Sequence, residues 1–420
     1  MKEGKGLEKE ARAAQARELG EALARGERSA LAQLEKLTEN GAGLVRQAAV
    51  LAVGGAPKGG GLAARALDFL ERIVGRGDEY LEQAAAVAAA RLMQIHPRRA
   101  RRVLHLLAQS PRASTRLSAA RGAPGCPTAA GLGLLRYLVK DGEPQVRAGV
   151  AAALGEVAEP REKTASRLQS DEIVRLLQCL LGDGDEFVRC RAAEAIGKAA
   201  GLPGVTDLFG KICKHPDDAV RMGAAAALSQ LPPDRAELHW QEVEALCIDA
   251  NPVVRAQIAF SLALLWPVRR RACLERLLHL AEDEGIEVRV ATALAFDRLL
   301  LGGNLSQGEK REITPALLRL AREKNLRVSA AAAPALGLFE EETEELLLSL
   351  AEKPAARAAA AAGLGRLVQR KPEMMLSLLR RLSRLPPAEA DGRTGLSAVE
   401  EFAAHQERPE MRLFACAWLE

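Results

Sequence analysis

The block Asp141-Gly-Glu-Pro-Gln-Val146-Arg147, followed by an alanine-rich stretch ending in Leu154-Gly155, recurs along almost the whole chain. It returns as Asp183…Val188-Arg189…Ile196-Gly197 and as His215…Val220-Arg221…Leu228-Ser229. Two further copies are Asp249…Val254-Arg255…Leu262-Ala263 and Asp283…Val288-Arg289…Phe296-Asp297. Weaker copies stand at Val45-Arg46, Thr115-Arg116, Val328-Ser329 and Arg357…Leu364-Gly365. Leu81-Glu82 falls in phase between the first two of these, and Glu410-Met411-Arg412 reads as the start of a last copy. From Val45 to Val328 successive anchors are 31 to 42 residues apart. A period of that length marks an array of stacked supersecondary units, each unable to bury its apolar stripe alone.

The unit itself is helical. Counting from each Val, apolar residues fall about every fourth position, as in Val146, Val150, Leu154 and Val157, or Val254, Ile258, Leu262 and Leu265. That is one stripe of a helix with 3.6 residues per turn. A second amphipathic helix precedes each block, at Glu172–Leu181 and Leu274–Ala281 for example. The joins carry Asp, Gly, Pro or Asn, which favour turns and cap the amides of a following helix. Glycine or serine eight residues beyond the arginine suits either close helix approach or a helix end. Only 13 of 420 residues are aromatic, too few for one large core but adequate for closely packed alanine-rich helices.

An acidic residue, Val-Arg some five residues on, an alanine-rich helix and then Leu-Gly: this pattern resembles the HEAT repeat, including the short HEAT-like repeats first met in phycobilisome lyases. The resemblance covers nearly the whole chain. It implies an all-α, right-handed α-solenoid of about ten stacked helix pairs, with residues 1–38 as capping helices and 39–420 as a continuous array. Inserted loops are expected near 158–170, 301–310 and 386–396. The resemblance also implies a ladder of hydrogen bonds in which Asp141, Asp183, Asp249 and Asp283 pair with Arg147, Arg189, Arg255 and Arg289. His215, Ser329 and Glu82 depart from the pattern, and the ladder is expected to break at each.

Chemistry is sparse by contrast. The glycine-rich Val53–Gly61 places Lys58 ahead of its second glycine group and lacks the GxxxxGK[ST] order of a phosphate loop. Leu181-Gly-Asp-Gly-Asp-Glu186 holds a fragment of a calcium loop but sits at an inter-helix turn. The seven cysteines are scattered, odd in number and never CxxC, so they read as reduced thiols, and Cys213-Lys214-His215 has no second pair at zinc spacing. No histidine has a phased nucleophile beside it. Neither enzyme activity, nor a cofactor, nor a metal site is expected. Among relatives with activity, a DNA glycosylase of HEAT-like build needs a cleft of aromatic and acidic residues, whereas Trp240 and Trp266 lie near helix ends. A pigment site of the lyase kind is not singled out either.

Two surfaces stand out as candidates. At the sixth position after each Val, expected to face the concave side, stand Leu51, Ala152, Glu194, Ala226, Phe260, Leu294 and Pro334. Phe260 and Leu294 come from successive repeats, with Leu264 one turn beyond, and offer an apolar ridge to a partner helix. The second surface is electrostatic. Fifty-nine basic and 55 acidic side chains leave a net charge of only +4, yet residues 83–140 contain ten basic side chains and no acidic one. Arg98, Arg101, Arg102 and His105 share a helix face, with Arg99 and Arg112 nearby, while Glu340–Glu345 supplies an acidic patch far along the chain. Such asymmetry steers an anionic partner.

These features point to a cytoplasmic scaffold or adaptor that binds a partner protein along the solenoid. The alternative is a nucleic-acid-binding HEAT-like protein using the basic 83–140 stretch. Of the two, a protein partner is favoured, because Tyr137 is the one base-stacking aromatic in that stretch. No apolar run is long enough to suggest a membrane span. The partner's identity and the oligomeric state are not legible in the residues.

Overall fold

A computed structural model describes residues 2–59, 61–126, 128–158, 167–202, 205–303, 305–339 and 343–385, and the backbone of 389–390 and 393–394. The expected loops near 158–170 and 386–396 and the copy at Glu410 lie wholly or mainly outside the described residues. The chain divides into two compact units, Met1–Gln230 and Leu231–Glu420.

Unit 1 alternates between two layers of helices. One layer holds α1 (Lys2–Ala24), α3 (Gly43–Val53), α5 (Glu79–Leu92), α7 (Ala113–Gly122), α9 (Pro144–Ala158), α11 (Glu186–Lys198) and α13 (Asp218–Leu228). The opposite layer holds α2 (Arg28–Asn40), α4 (Leu62–Ile73), α6 (Pro97–Ala108), α8 (Thr128–Leu138), α10 (Arg167–Leu181) and α12 (Val205–Cys213). Unit 2 has its own arginine-bearing layer, made of α16 (Pro252–Leu264), α18 (Ile286–Leu301), α20 (Leu326–Leu336) and α22 (Arg357–Arg370). Facing it are α15 (Trp240–Cys247), preceded by the short α14 (Pro233–Leu238), then α17 (Arg270–Leu280), α19 (Gln307–Ala321), α21 (Thr343–Ala351) and α23 (Met375–Leu382). Two-residue strands Glu389–Ala390 and Arg393–Thr394 pair antiparallel and add no sheet to this architecture.

Local chemistry starts these helices where the pattern predicts. Asp78, Asp185, Asp217, Asn251 and Asn325 cap α5, α11, α13, α16 and α20, each accepting from a free amide of the first turn. Pro252 occupies the first turn of α16, where its missing N–H costs nothing. The expected stripes then pack between the layers: Val146, Val150 and Leu154, like Val254, Ile258 and Leu262, are completely buried, whereas Val157 stays half-exposed.

The arginine-bearing helices approach one another closely, and the repeat glycine is the reason. A Cβ on Gly54 would lie 2.9 Å from the Cα of Ala88 on α5. One on Gly223 would collide with the carbonyl of Cys190, and one on Gly337 with the carbonyl of Gly363. At Gly54 and Gly337 the repeat glycine fills both roles, ending its helix and admitting the neighbouring backbone, while Gly223 serves close approach from within α13. Near 301–310 the expected insertion is short: α18 ends at Gly302-Gly303, and Ser306 with Glu309 forms a capping box that starts α19 at once. Arg270 donates to Glu309 and holds its carboxyl down to about 2.

Gly337→Ala is therefore expected to destabilise the protein by about 1–3 kcal/mol, despite alanine's better helix propensity, because the backbone of α22 must move. Gly142→Ala, which meets nothing within 4 Å, is the control. Thermal unfolding of both variants checks it.

Candidate functional site

Every surface of a stacked array depends on what keeps its repeats in register. Here that is a ladder of arginine–carboxylate pairs. Arg147 donates from Nε to Asp183 Oδ2 at 2.7 Å and from Nη2 to Asp183 Oδ1 at 2.8 Å, a bidentate fork. Its Nη1 donates backwards to the carbonyl of Asp141, six residues earlier, at 2.8 Å. Asp183 Oδ1 meanwhile accepts from its own turn, from the amide of Asp185 at 2.9 Å. Each rung thus fixes one inter-helix turn, reaches the next repeat and fixes that turn too.

This geometry corrects the pairing implied by the family resemblance. Arg147, Arg189, Arg255 and Arg289 take their carboxylates from Asp183, Asp217, Asp283 and Glu323 of the following repeat. To the aspartates of their own repeats, Asp141, Asp183, Asp249 and Asp283, they donate only at the main-chain carbonyl. The reason is reach: an arginine on the first turn of its helix points across the layer, and the next turn along lies in its path. Arg46 and Asp78, and Arg116 and Asp141, form earlier rungs.

The departures resolve in different ways. At His215 there is no break, because Asp217 two residues on receives Arg189 and caps α13 as well. Glu82 reverses the polarity of its rung. Completely enclosed, it accepts from the hydroxyl of Thr115 at 2.9 Å and from the amide of Gly75 at 3.1 Å, with Arg112 beside it. Ser329 bonds only within its own helix, to the carbonyls of Asn325 and Leu326. Along this part of unit 2 the repeats are also tied by Arg366 of α22, which reaches past α20 to Asp297 of α18.

Against this frame the candidate residues can be placed. None of Leu51, Ala152, Glu194, Ala226, Phe260, Leu294 and Pro334 is buried, so the sixth position after each anchor forms a solvent-facing row. Phe260 is 40% and Leu294 42% exposed, on the adjacent helices α16 and α18. Leu264 is half-buried one turn further on, while Val253 and Leu301 are exposed on the same two helices.

The basic patch is partly spent. Val103, Leu104 and Leu107 bury one side of α6, leaving its arginines on the opposite side. Of these, Arg99 binds Asp68 and the carbonyl of Ala64, Arg102 lies 3.9 Å from Glu71, and Arg112 belongs to the Glu82 cluster. Arg98, Arg101 and Arg102 remain exposed. His105 receives the Nε–H of Arg101 and meets the exposed Tyr137 edge-on at 6.4 Å. Burial and the Arg101 charge both lower its pKa, so the imidazole adds no charge at neutral pH. The structure thus joins Tyr137 to His105 and, through it, to Arg101, while Arg99 and Arg112 are engaged by Asp68 and Glu82.

Sequence reasoning overlooked a second apolar row and a groove. Leu44, Tyr80, Phe187 and Val253 all immediately precede an anchor and are all exposed, Leu44 by 71%. The available signal was a large apolar residue in a position that other repeats fill with serine, glutamine or glutamate. Leu44 and Leu51 also line a cavity of about 880 Å³ with Arg17, Glu21, Gln47 and Arg91.

Among the described residues four cysteines and two tryptophans are buried, while Cys179 is exposed. Burial pushes the thiols of Cys126, Cys247 and Cys273 up to about 12 and that of Cys190 to about 11, far from the thiolate that reactivity requires. Trp240 and Trp266 are buried beneath the guanidinium groups of Arg269 and Arg270, at 5.2 and 5.4 Å, rather than facing a cleft. Among the described residues no three His, Cys, Asp or Glu side chains are grouped to hold a metal, and no helix is long and apolar enough to cross a membrane.

Comparison with known proteins decides the family of the repeats. The HEAT repeats family matches residues 173–237, and the HEAT-like repeat family matches residues 144–199. The fold is a HEAT-repeat α-solenoid. No curated protein matches the sequence. Among solved structures, Kap95p, whose binding induces the switch loops of RanGDP to adopt the GTP-bound conformation, matches over 97% of this chain and 60% of its own, at 13% identity and a TM-score of 0.52. The karyopherin Kap121p bound to the SUMO protease Ulp1p matches over 84% of this chain and 43% of its own, at 14% identity and a TM-score of 0.52. Kap121p bound to Pho4p matches over 85% and 43%, at 16% identity and a TM-score of 0.51. The solenoid thus spans between 43% and 60% of the length of these solved proteins. At such identities the likeness is one of fold.

Arg255→Ala is expected to cost the solenoid about 3 kcal/mol, because Asp283 then stays nearly enclosed without its cation. Arg271→Ala, which breaks only exposed pairs, leaves the melting temperature unchanged. The ladder also gives stability a pH dependence. The hydrogen bond from Arg147 lowers the Asp183 pKa below the ordinary carboxylate value, against the weaker opposing effect of burial. A depressed folded pKa contributes stability above the unfolded value of about 3.9 and loses it as pH falls through the folded one. Between about pH 5 and pH 3, Asp183→Asn is expected to lose less stability than the unaltered protein, as urea titrations at each pH will show.

Proposed function

We propose that this protein is a non-enzymatic scaffold or adaptor, acting in the cytoplasm, that holds another protein against the arginine-bearing layer of its solenoid. One observation carries the reading. Phe260 and Leu294 project from successive helices of a rigidly laddered stack and remain about two-fifths exposed, where most other repeats present small or polar residues. An apolar pair on a fixed spacing suits the successive turns of an amphipathic helix. The karyopherins of like fold bound to Ulp1p and Pho4p are precedents for protein partners on such a scaffold. Reduced, scattered cysteines favour a reducing compartment.

A second reading, nucleic-acid binding, rests on Tyr137 standing beside Arg101 and His105 on α6 and α8. A stacking ring near a cation is the arrangement that single strands use.

Phe260→Asp and Leu294→Asp, both on exposed positions, are expected to leave the melting temperature unchanged and to weaken partner binding at least about tenfold. Affinity capture after nuclease treatment, with each variant and with Arg98→Glu/Arg101→Glu, separates the readings. Binding that survives nuclease and is lost in the apolar variants supports a protein partner. Binding abolished by nuclease, falling steeply with salt and lost in the arginine variant, moves the function to nucleic acid.

A further inference from the structure

Unit 1 carries a second solvent-facing surface, of a different chemistry. The residue before each anchor and the sixth residue after it are seven apart, two helical turns or about 10 Å along the axis. In α3 these two positions hold Leu44 and Leu51, and in α5 they hold Tyr80 and Val87. Leu44 is 71%, Tyr80 65% and Val87 39% exposed, with Leu51 half-buried. Because α3 and α5 pack side by side, the four side chains form an apolar platform about one helix spacing wide. The same positions of α7 hold Ser114 and Arg121, so the platform ends at α5.

Cations border the platform. In the layer α3 stands between α1 and α5, and the cavity of about 880 Å³ is lined by Arg17 of α1, by Leu44 and Leu51 of α3 and by Arg91 of α5. The stem of Arg91 lies across the end of α3, where a Cβ on Gly54 would come within 3.2 Å of its Cδ. Arg121 follows on α7. All three arginines are exposed, and none has a carboxylate partner among the described residues. Arginines of the opposite layer differ in this respect: Arg72, Arg99 and Arg136 pair with Glu35, Asp68 and Glu172. Glu21 is the one acid lining the cavity, so the groove keeps an excess of positive charge. Cations left without acids around an apolar surface attract an anionic occupant.

We propose that this face of unit 1 is a docking site for an acidic amphipathic helix of a partner protein. Its apolar side covers Leu44, Leu51, Tyr80 and Val87, and its carboxylates meet Arg17, Arg91 and Arg121. Apolar residues at i and i+7 of such a helix match the two-turn spacing of the platform, and acids flanking that stripe reach the bordering guanidinium groups. A nucleic-acid strand fits less well, since three of the four platform residues are aliphatic and offer no ring to a base. The site is independent of Phe260 and Leu294 and stands whether or not those residues hold a partner.

Fluorescence anisotropy with the full chain tests this. The probe is a labelled peptide of about twenty residues with leucine at i, i+3, i+4 and i+7 and glutamate on both flanks of that stripe. Its counterpart carries glutamine in place of every glutamate. The glutamate peptide is expected to bind at least about tenfold more tightly than the counterpart. It is expected to lose at least about tenfold in affinity on Leu44→Asp/Tyr80→Asp and on Arg17→Glu/Arg91→Glu. Leu168→Asp, at an exposed position of α10 in the opposite layer, changes affinity less than about twofold. Should a double variant fail to fold, Leu44→Asp and Arg17→Glu alone provide the same readout. Equal affinity for the two peptides, no binding of either below about 1 mM, or binding that the unit 1 variants leave unchanged overturns the proposal. So does a single strand of about twenty thymidines that binds more tightly than the glutamate peptide and is lost in Arg17→Glu/Arg91→Glu, which assigns these cations to nucleic acid.

Discussion

The arginine–carboxylate rung is the interaction on which the rest of this structure depends. A helix pair with one apolar stripe has many ways to slide along its neighbour, because apolar contact is non-directional. The forked guanidinium removes that freedom. Arg147 grips the turn of its own repeat through Nη1 and the turn of the next through Nε and Nη2, so one side chain sets the axial position of two helix pairs. The aspartate does the same from the other side by accepting from the amide two residues on. These rungs sit at the ends of the arginine-bearing helices, and in those of Arg147 and Arg255, which are largely enclosed, Nε, Nη1 and Nη2 all donate. That is the condition under which an enclosed ion pair holds a structure together rather than weakening it.

Close packing supplies the second constraint. Neighbouring arginine-bearing helices nearly touch backbones where glycine and alanine face each other, at Gly54 and Ala88, Gly197 and Ala227, and Gly337 and Gly363. Small residues at the contact leave little apolar surface to spare within the layer. The bulky side chains are thereby displaced either to the space between layers, where Val, Leu and Ile are buried, or outward to solvent. Phe260 and Leu294 belong to the second group. Their exposure follows from the same economy of space that keeps the stack tight, and a rigid frame of this kind presents them at a fixed separation.

Charge is distributed by the same logic. Cations in the acid-free 83–140 stretch are neutralised by acids from elsewhere: Arg99 by Asp68, Arg116 by Asp141 and Arg136 by Glu172. A local excess in one dimension becomes a modest one in three. Arg98 and Arg101 stay exposed on α6, and the grouping of Arg101 with His105 and Tyr137 exists because α6 and α8 lie side by side in the same layer.

The periodicity of Val-Arg, the four-residue apolar stripe and the Asp-Gly turns were enough to specify helix pairs and their stacking, because each is a local pattern that survives without knowledge of neighbours. The sequence alone also placed Phe260 and Leu294 on a solvent-facing row, since helical phase is carried by counting. It did not determine which acid meets which arginine. Asp141 and Arg147 are close in the chain, but a carboxylate and a guanidinium pair according to where the side chains point, and Arg147 points to Asp183. Nor did spacing reveal that Asp217 would stand in for His215, or that Glu82 would find hydroxyl and amide donors beside Arg112. The partition of the basic stretch into neutralised and free arginines was equally hidden. Those outcomes depend on distances between helices some thirty residues apart in sequence, and only the tertiary structure brings those helices together.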